Sequence, residues 1–165
     1  MASEAYIGMG SNLGDRVRSL RAGIEGLAGL GRILRLSSLY ETEPVGGPPQ
    51  GAYLNLVVRL ETDLPPPALA RGLFHLEEAA GRVRTVRWGP RTLDLDLLFY
   101  DRVRSDDPAL TIPHPRIMER RFVLEPLVEI HPAAEALGLR AALTQVSGQP
   151  VRKLAAWPPE AAEAR

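Results

Sequence analysis

Two strand-like stretches decide the fold: ILRLSSLYET at residues 33–42 and YLNLVVRLET at residues 53–62. The second is rich in leucine and valine, side chains that suit a half-buried pleated surface. The segment 43–51 between them contains three prolines and three glycines, too many for regular structure. A loop of this length is long enough to be functional. Two strands without an intervening helix disfavour a parallel sheet built from alternating strands and helices.

The flanking segments complete the pattern. A short apolar strand at residues 5–9 leads into a loop, Gly10-Ser11-Asn12-Leu13-Gly14. A helix follows, and its apolar face consists of Leu13, Val17, Leu20, Ile24 and Leu27. A second helix starts at the prolines 65–67, ends at Gly81 and precedes a strand at residues 93–100. The order βαββαβ predicts an α+β fold. We expect a ferredoxin-like antiparallel sheet with both helices on one face, plus a short strand and one or two helices from the C-terminal residues.

The length and composition are those of one globular domain. The chain has 165 residues, of which 45% are hydrophobic and 24% charged, so we expect one domain over residues 1–165, with a tail that frays from about residue 158. The net charge of zero argues against a nucleic-acid partner, and the absence of cysteine excludes a disulfide scaffold. No apolar run approaches the roughly 20 residues that span a bilayer. We therefore expect a cytoplasmic protein with no membrane partner. We also expect a monomer.

Two aspartates alternate with leucines in the stretch Leu93-Asp94-Leu95-Asp96-Leu97. In a strand, both carboxylates would lie on one face with Cα atoms about 6.6 Å apart, while the leucines face the core. They could simply be the solvated face of the strand. Adjacent like charges are unfavourable, however, and aspartate is a poor strand former. A bound cation removes both objections, because magnesium prefers one or two carboxylates together with phosphates and water.

A basic run lies immediately before these aspartates. Four arginines, Arg82, Arg84, Arg87 and Arg91, surround Trp88-Gly89-Pro90. An exposed basic loop is the plain alternative, but an indole in a loop usually packs against or recognises something. Carboxylates beside guanidinium groups are the usual equipment of phosphoryl transfer, in which positioning and charge neutralisation supply most of the catalysis.

Two further motifs are less specific. His114 lies between Pro113 and Pro115, which hold it out of a helix or a central strand, and by itself it fits a structural role better than a functional one. Gly8-Met9-Gly10 with Gly14 superficially resembles a dinucleotide-binding turn. That interpretation requires a parallel sheet, which the strand order disfavours.

Taken together, the motifs resemble those of the hydroxymethyldihydropterin pyrophosphokinases. The resemblance extends from about Tyr6 to Pro132, and its most specific element is R-W-G-P-R-x-L-D-L-D, from Arg87 to Asp96. The other matching segments are GSNLGD at 10–15, SLYET at 38–42, YLN at 53–55, GRVR at 81–84 and PHPR at 113–116.

The resemblance implies a ferredoxin-like α+β fold and a reaction in which the pterin hydroxymethyl oxygen attacks the β-phosphorus of ATP and releases AMP, with no covalent enzyme intermediate. The implied substrates are ATP and 6-hydroxymethyl-7,8-dihydropterin. Asp94 and Asp96 would hold two Mg²⁺ ions, with Asp94 also near the pterin alcohol. Arg82 and Arg91 would join them in catalysis.

The remaining implied contacts divide by ligand. The triphosphate would meet Arg82, Arg84 and Arg91 on a mobile loop bearing Trp88, together with His114 and Arg120. Glu77, Leu97 and Thr111 would lie nearer the nucleoside. The pterin ring would stack between Tyr53 and Phe122, Asn55 would read its amide edge, and backbone at Thr42, Glu43 and Val45 would complete the pocket. Phe74 and Ala109 stand where some relatives have polar nucleotide contacts, so no hydrogen bonds are assigned there.

Two other classes of protein fit parts of the pattern. A nucleotidyltransferase also combines a Gly-Ser element with a D-x-D strand and two metals, but its serine lies only about a dozen residues before the acids, whereas Ser11 is far from Asp94 here. A ferredoxin-like RNA-binding or effector-binding module shares the predicted strand order. An RNA-binding sheet would carry exposed aromatic residues and a basic surface, in contrast to the acids and zero net charge found here.

Overall fold

A computed structural model describes residues 2–43, 49–81 and 92–160. Within these ranges the elements are β1 (Ser3–Ser11), α1 (Arg16–Ala28), β2 (Arg32–Leu36), β3 (Leu39–Thr42), β4 (Tyr53–Thr62), α2 (Pro66–Ala79), β5 (Asp94–Tyr100), β6 (Ser105–Asp107), β7 (Leu110–Ile112), a 3-10 turn (Ile117–Glu119), α3 (Arg121–Ile130), α4 (Leu139–Gln145) and β8 (Val151–Ala155). None of these helices has both the length and the apolar character needed to cross a bilayer.

An antiparallel sheet carries the fold. Over the described ranges its strands lie in the order β5-β1-β4-β3-β8, and β2 also pairs with β4. β1 pairs with β4 along its whole length and with β5 from Ala5 opposite Tyr100 to Gly10 opposite Asp94. The predicted mixture of helices with an antiparallel sheet is therefore confirmed.

Local sequence signals explain where the first two helices begin. Gly14 adopts a positive φ of 69°, which a residue with a side chain rarely tolerates, and so turns the chain into α1. Asp15 then caps α1, since its carboxylate accepts a hydrogen bond from the Arg18 N–H at 3.1 Å. α2 begins at Pro66, where the fixed φ of proline suits the first turn and its missing N–H costs nothing.

Alternation along the strands distributes side chains between the faces of the sheet. Ile7 and Leu95 belong to a buried cluster with side chains of α1 and α2. Val57 and Leu98 belong to a second buried cluster, with side chains of α3 and α4. The sheet thus lies between a pair of helices on each face, and each helix pair packs its apolar stripe against it.

The stretch predicted as one strand at residues 33–42 is divided into β2 and β3, and both pair with β4. Ser37 and Ser38 separate them. The Val57 N–H donates to the Ser37 hydroxyl at 2.8 Å instead of to a main-chain carbonyl, and the Ser38 N–H donates to the Glu129 carboxylate of α3. Serine side chains compete with the main chain for hydrogen-bond partners in this way. The strand is interrupted here, although the hydrophobic pattern alone suggests that it is continuous.

The C-terminal part contains more strands than predicted. One short strand was expected there, but the described residues form three, β6, β7 and β8, and helices α3 and α4 lie between β7 and β8. β8 joins the main sheet antiparallel to β3, from Leu39 opposite Ala155 to Thr42 opposite Val151. Strands of three to five residues contain too few alternations to be recognised from periodicity.

Candidate active site

A cleft of about 600 Å³ opens on the sheet face that carries α3. Its floor is formed by three adjacent strands. Gly10 of β1 is opposite Asp94 of β5 on one side and Asn55 of β4 on the other, and Gly8 is similarly opposite Asp96. The two aspartates point into the cleft and alternate with buried leucines, as the sequence predicted.

Glycine at position 10 keeps the centre of the floor open. A Cβ atom there would lie 3.0 Å from the Asn55 Oδ1 atom and 3.3 Å from the Tyr53 Cδ1 atom, closer than most real contacts allow. β1 therefore presents bare backbone between the acidic side chains of β5 and the polar side chains of β4. This is the close backbone approach for which glycine is suited.

The β4 side of the cleft holds a fixed amide. The Asn55 Nδ2 atom donates to the Thr42 Oγ1 atom at 2.8 Å, and both residues are buried. This bond orients the Asn55 carboxamide so that its oxygen points toward Gly10. Tyr53 and Glu43 line the cleft beside them. A buried and oriented amide with a neighbouring aromatic ring is suited to reading the edge of a flat polar heterocycle.

The opposite side carries His114. Its backbone N–H donates to the Leu98 carbonyl at 2.9 Å, and the Arg116 N–H donates to its Nδ1 atom at 3.2 Å. Burial lowers the pKa of His114, and the guanidinium groups of Arg120 and Arg116 lower it further against the opposing effect of Asp94. The imidazole is therefore neutral at neutral pH, and its proton lies on Nε2, where it can be donated.

Arg120 and Phe122 form the wall next to His114. The Arg120 Cζ atom lies 5.6 Å from the centroid of the Phe122 ring, within the range of a cation–π interaction. Both residues line the cleft. A guanidinium held against an aromatic face keeps its planar donor fork available for a phosphate.

The predicted nucleoside contacts do not line this cleft. Glu77 is buried on α2, where its carboxylate accepts a hydrogen bond from the Leu95 N–H of β5 at 3.0 Å. Leu97 belongs to the core beneath α1 and α2. The Thr111 hydroxyl donates to the Asp107 carbonyl at 3.1 Å. Their assignment to the nucleoside stays a prediction.

Five predicted contacts lie outside the described residues. They are Val45 in the loop before β4, and Arg82, Arg84, Trp88 and Arg91 in the run that connects α2 to β5. Their roles likewise stay predictions.

The cleft also contains residues that the sequence reasoning did not assign. Arg116 and Glu119 line it; Arg116 is the last residue of the P-H-P-R motif, and Glu119 directly precedes Arg120. Gln50 lines it from the proline- and glycine-rich loop, where the Asn12 Nδ2 atom donates to its Oε1 atom at 2.7 Å. The G-S-N-L-G motif therefore anchors this loop and supplies the floor of the cleft. Gln149, far along the chain, had no sequence signal at all.

Comparison with known proteins agrees with the geometry. The family model of 7,8-dihydro-6-hydroxymethylpterin-pyrophosphokinase (HPPK) matches residues 6–132. The 2-amino-4-hydroxy-6-hydroxymethyldihydropteridine pyrophosphokinase of Bacillus subtilis is 45% identical over 132 residues, which are 79% of this chain and 79% of that protein. The protein of the same name from Methylorubrum extorquens is 42% identical over 132 residues, covering 79% of this chain and 84% of the relative.

The fold is also found in solved structures. A Plasmodium falciparum HPPK-DHPS crystal structure with pterin and p-hydrobenzoate superposes with a TM-score of 0.65 at 16% identity. The match covers 88% of this chain but 44% of that one, so this chain spans less than half of the Plasmodium protein. By its sequence match over most of its length, the chain belongs to the 7,8-dihydro-6-hydroxymethylpterin-pyrophosphokinase family.

Proposed function

We propose that this protein transfers the β,γ-diphosphate of ATP to the hydroxymethyl oxygen of 6-hydroxymethyl-7,8-dihydropterin and releases AMP. The observation that carries the proposal is the cleft itself, where an acidic pair on β5 faces an oriented amide on β4 across a glycine floor. One side suits a metal-bound polyphosphate and the other suits a flat heterocycle.

The strand order supports a ferredoxin-like description of the fold. If β2 and β3 are counted together as the second strand of a βαββαβ unit, the order β5-β1-β4-β3 becomes fourth, first, third and second. β8 then extends the sheet at the edge next to that second strand.

Asp94 and Asp96 are the residues that would hold magnesium. Their side chains leave the same face of β5, with Leu95 between them in the sequence, and both line the cleft. This donor set fits Mg²⁺, which takes one or two carboxylates and completes its shell with phosphate and water oxygens. Bound there, two Mg²⁺ ions would neutralise charge on the triphosphate.

The chain's own residues then orient the reaction. Tyr53 and Phe122 would stack on the pterin, and Asn55 would bond its amide edge, with backbone at Thr42, Glu43 and Val45 beside it. The hydroxymethyl oxygen forms a bond to the β-phosphorus as the bond from that phosphorus to the oxygen bridging to the α-phosphate breaks. The bonding electrons leave with AMP. Asp94, which lines the cleft, would accept the hydroxyl proton.

Donors on the other wall would meet the phosphates. His114 offers its neutral Nε2–H, and Arg120 offers a guanidinium already braced by Phe122. We assign Arg82, Arg84 and Arg91, with Trp88, to the same triphosphate, since the run that carries them ends just before β5 and its aspartates. Glu77, Leu97 and Thr111 are assigned to the nucleoside end.

The reaction products test the proposal. The protein, ATP, Mg²⁺ and 6-hydroxymethyl-7,8-dihydropterin should yield AMP and a pterin diphosphate in equal amounts, measured by chromatography and phosphorus NMR. Chelation of the metal should stop the reaction. Release of pyrophosphate would indicate nucleotidyl transfer, and release of ADP would indicate transfer of a single phosphoryl group. Either product pattern would overturn the assignment.

A further inference from the structure

Gln149 reaches the active-site cleft from a part of the chain that lies beyond the family match. It sits in the connection between α4 and β8, whereas the match ends at residue 132. It nevertheless lines the same cleft as Arg120 and Phe122.

The Gln149 carboxamide binds the main chain on both sides of Arg120. Its Oε1 atom accepts a hydrogen bond from the Arg121 N–H at 2.9 Å. Its Nε2 atom donates to the Glu119 carbonyl at 2.8 Å. One side chain therefore holds both peptide groups next to Arg120, much as a neighbouring strand would hold an extended residue.

These bonds act at the start of α3, in addition to the main-chain hydrogen bond that the Arg120 N–H donates to the Ile117 carbonyl at 3.4 Å. Arg120 is the N-cap of α3, with an extended backbone (φ −122°, ψ 108°), and its side chain makes no capping hydrogen bond. The Arg121 N–H is among the first N–H groups of α3, which have no partner within the helix. Gln149 satisfies this donor from outside the helix.

A second set of contacts holds the connection itself in place. The Arg121 Nη1 atom donates to the Gln149 carbonyl at 2.7 Å and to the Ser147 carbonyl at 3.0 Å. The Arg121 Nε atom also forms an ion pair with Glu125, one turn along α3, at 3.1 Å. The connection and the start of α3 therefore form one hydrogen-bonded unit.

We propose that Gln149 is a positioning residue for the reaction, acting through Arg120. By setting the backbone of Arg120, it directs the guanidinium into the cleft and against the Phe122 ring. Only glutamine has both a donor and an acceptor at this reach. Asparagine is one methylene shorter, and glutamate lacks the donor. This inference rests on the proposed function of the cleft.

The substitution Gln149→Met tests it, since methionine keeps the length and flexibility of the side chain and removes both hydrogen bonds. We expect kcat/KM for MgATP to fall about tenfold, because small misplacements of a positioned group are costly in catalysis. Gln145→Met, on the exposed end of α4, is the matched control and should behave as the unsubstituted protein does. An unchanged kcat/KM in Gln149→Met would overturn the inference.

A double-mutant cycle with Arg120→Ala separates positioning from general stability. If Gln149 acts through Arg120, adding Gln149→Met to Arg120→Ala should have little further effect on kcat/KM. Effects that multiply independently, or a loss that merely tracks the fraction unfolded in thermal denaturation, would show a structural role and contradict the proposal.

The same cycle can be measured on affinity for an unreactive ATP analogue with Mg²⁺ by calorimetry. This measurement does not require diphosphate transfer. If the unsubstituted protein releases no AMP, the proposed function fails. The analogue cycle still decides whether Gln149 acts through Arg120. Additive changes in the binding free energy would overturn the inference, and non-additive changes would support it.

Discussion

The two faces of the sheet use the same strands for opposite purposes. On the face covered by α1 and α2, leucine, isoleucine and methionine side chains meet the helices in a continuous apolar cluster. On the other face, α3 and α4 pack over Tyr6, Val57 and Phe99, while Asp94 and Asn55 lie in an open cleft. Because successive side chains of a strand point to opposite faces, the protein can place a closed core directly beneath a polar site.

This difference implies that substitutions in the cleft should change activity, whereas substitutions in the core beneath α1 and α2 should change stability. Residues one position apart in the same strand or motif should therefore have separable effects. The changes below are ordered from the largest expected effect to the smallest.

The largest effect is expected for Asp96→Ala, and the same holds for Asp94→Ala. Loss of either carboxylate removes a ligand for the metal-bound triphosphate, and kcat should fall on the order of 1000-fold, about 4 kcal/mol. Thermal unfolding should change little, since both side chains lie on the open face of β5. Asp63→Ala, in the exposed turn after β4, is the control. Near-normal turnover in both cleft variants would refute the two-metal assignment.

On the closed face, Leu27→Ala should destabilise the protein by about 3 kcal/mol, from lost burial plus the cavity that remains. Leu27 is fully buried under the sheet, whereas Leu13 is 49% exposed, so Leu13→Ala serves as the matched control. Chemical denaturation measures the difference. KM values of the folded fraction should stay constant. A rise in the KM for pterin without a loss of stability would mean that the faces are not separable.

Gly10→Ala sharpens the comparison at the floor of the cleft. The new methyl group would crowd the Asn55 amide and the Tyr53 ring, so kcat/KM for pterin should fall about tenfold while ATP binding changes less. Gly8→Ala should have a smaller effect, because its Cβ would make only ordinary contacts with Leu98, at 3.5 Å. Equal losses for the two substrates would argue against placing the pterin over β4.

The smallest effect is expected at Glu41 of β3, which lies between β8 and the start of α1. Glu41 accepts hydrogen bonds from Arg152 of β8 and Arg16 of α1. These bonds lower the pKa of the Glu41 carboxyl, and the bond with Arg152 contributes most, whereas burial acts in the opposite direction. A carboxyl with a lowered folded-state pKa stabilises the protein above its unfolded pKa, near 4.5, and this contribution disappears as the pH falls through the folded value.

Glu41→Gln should therefore cost less than about 1 kcal/mol near pH 7, because partly exposed ion pairs contribute little. The difference from the unsubstituted protein should shrink as the pH falls below 4.5, and high salt should reduce it at neutral pH. Urea denaturation across this pH range measures it. A difference that stays constant throughout would show that the charge of Glu41 is not responsible.

The acidic side of the cleft was predictable because its signals are local. The alternation around Asp94 and Asp96 predicted both the strand and the face on which the carboxylates lie, and the structure places them in the cleft. The division of β2 from β3 was not predictable in this way. It depends on Ser38 meeting Glu129, 91 residues away, and hydrophobic periodicity contains no information about such a partner.

What the sequence determined by itself was therefore the order of strands and helices up to β5, with β2 and β3 read as one stretch, and the family, since each is written in short-range patterns and in motifs such as R-W-G-P-R-x-L-D-L-D. Only the tertiary structure decided which side chains share the cleft. Gly10 became its floor because β1 lies between β4 and β5. Gln149 came to hold Arg120 because the chain returns to the start of α3 after α4, and the carboxamide there satisfies a helix N–H that has no partner within the helix.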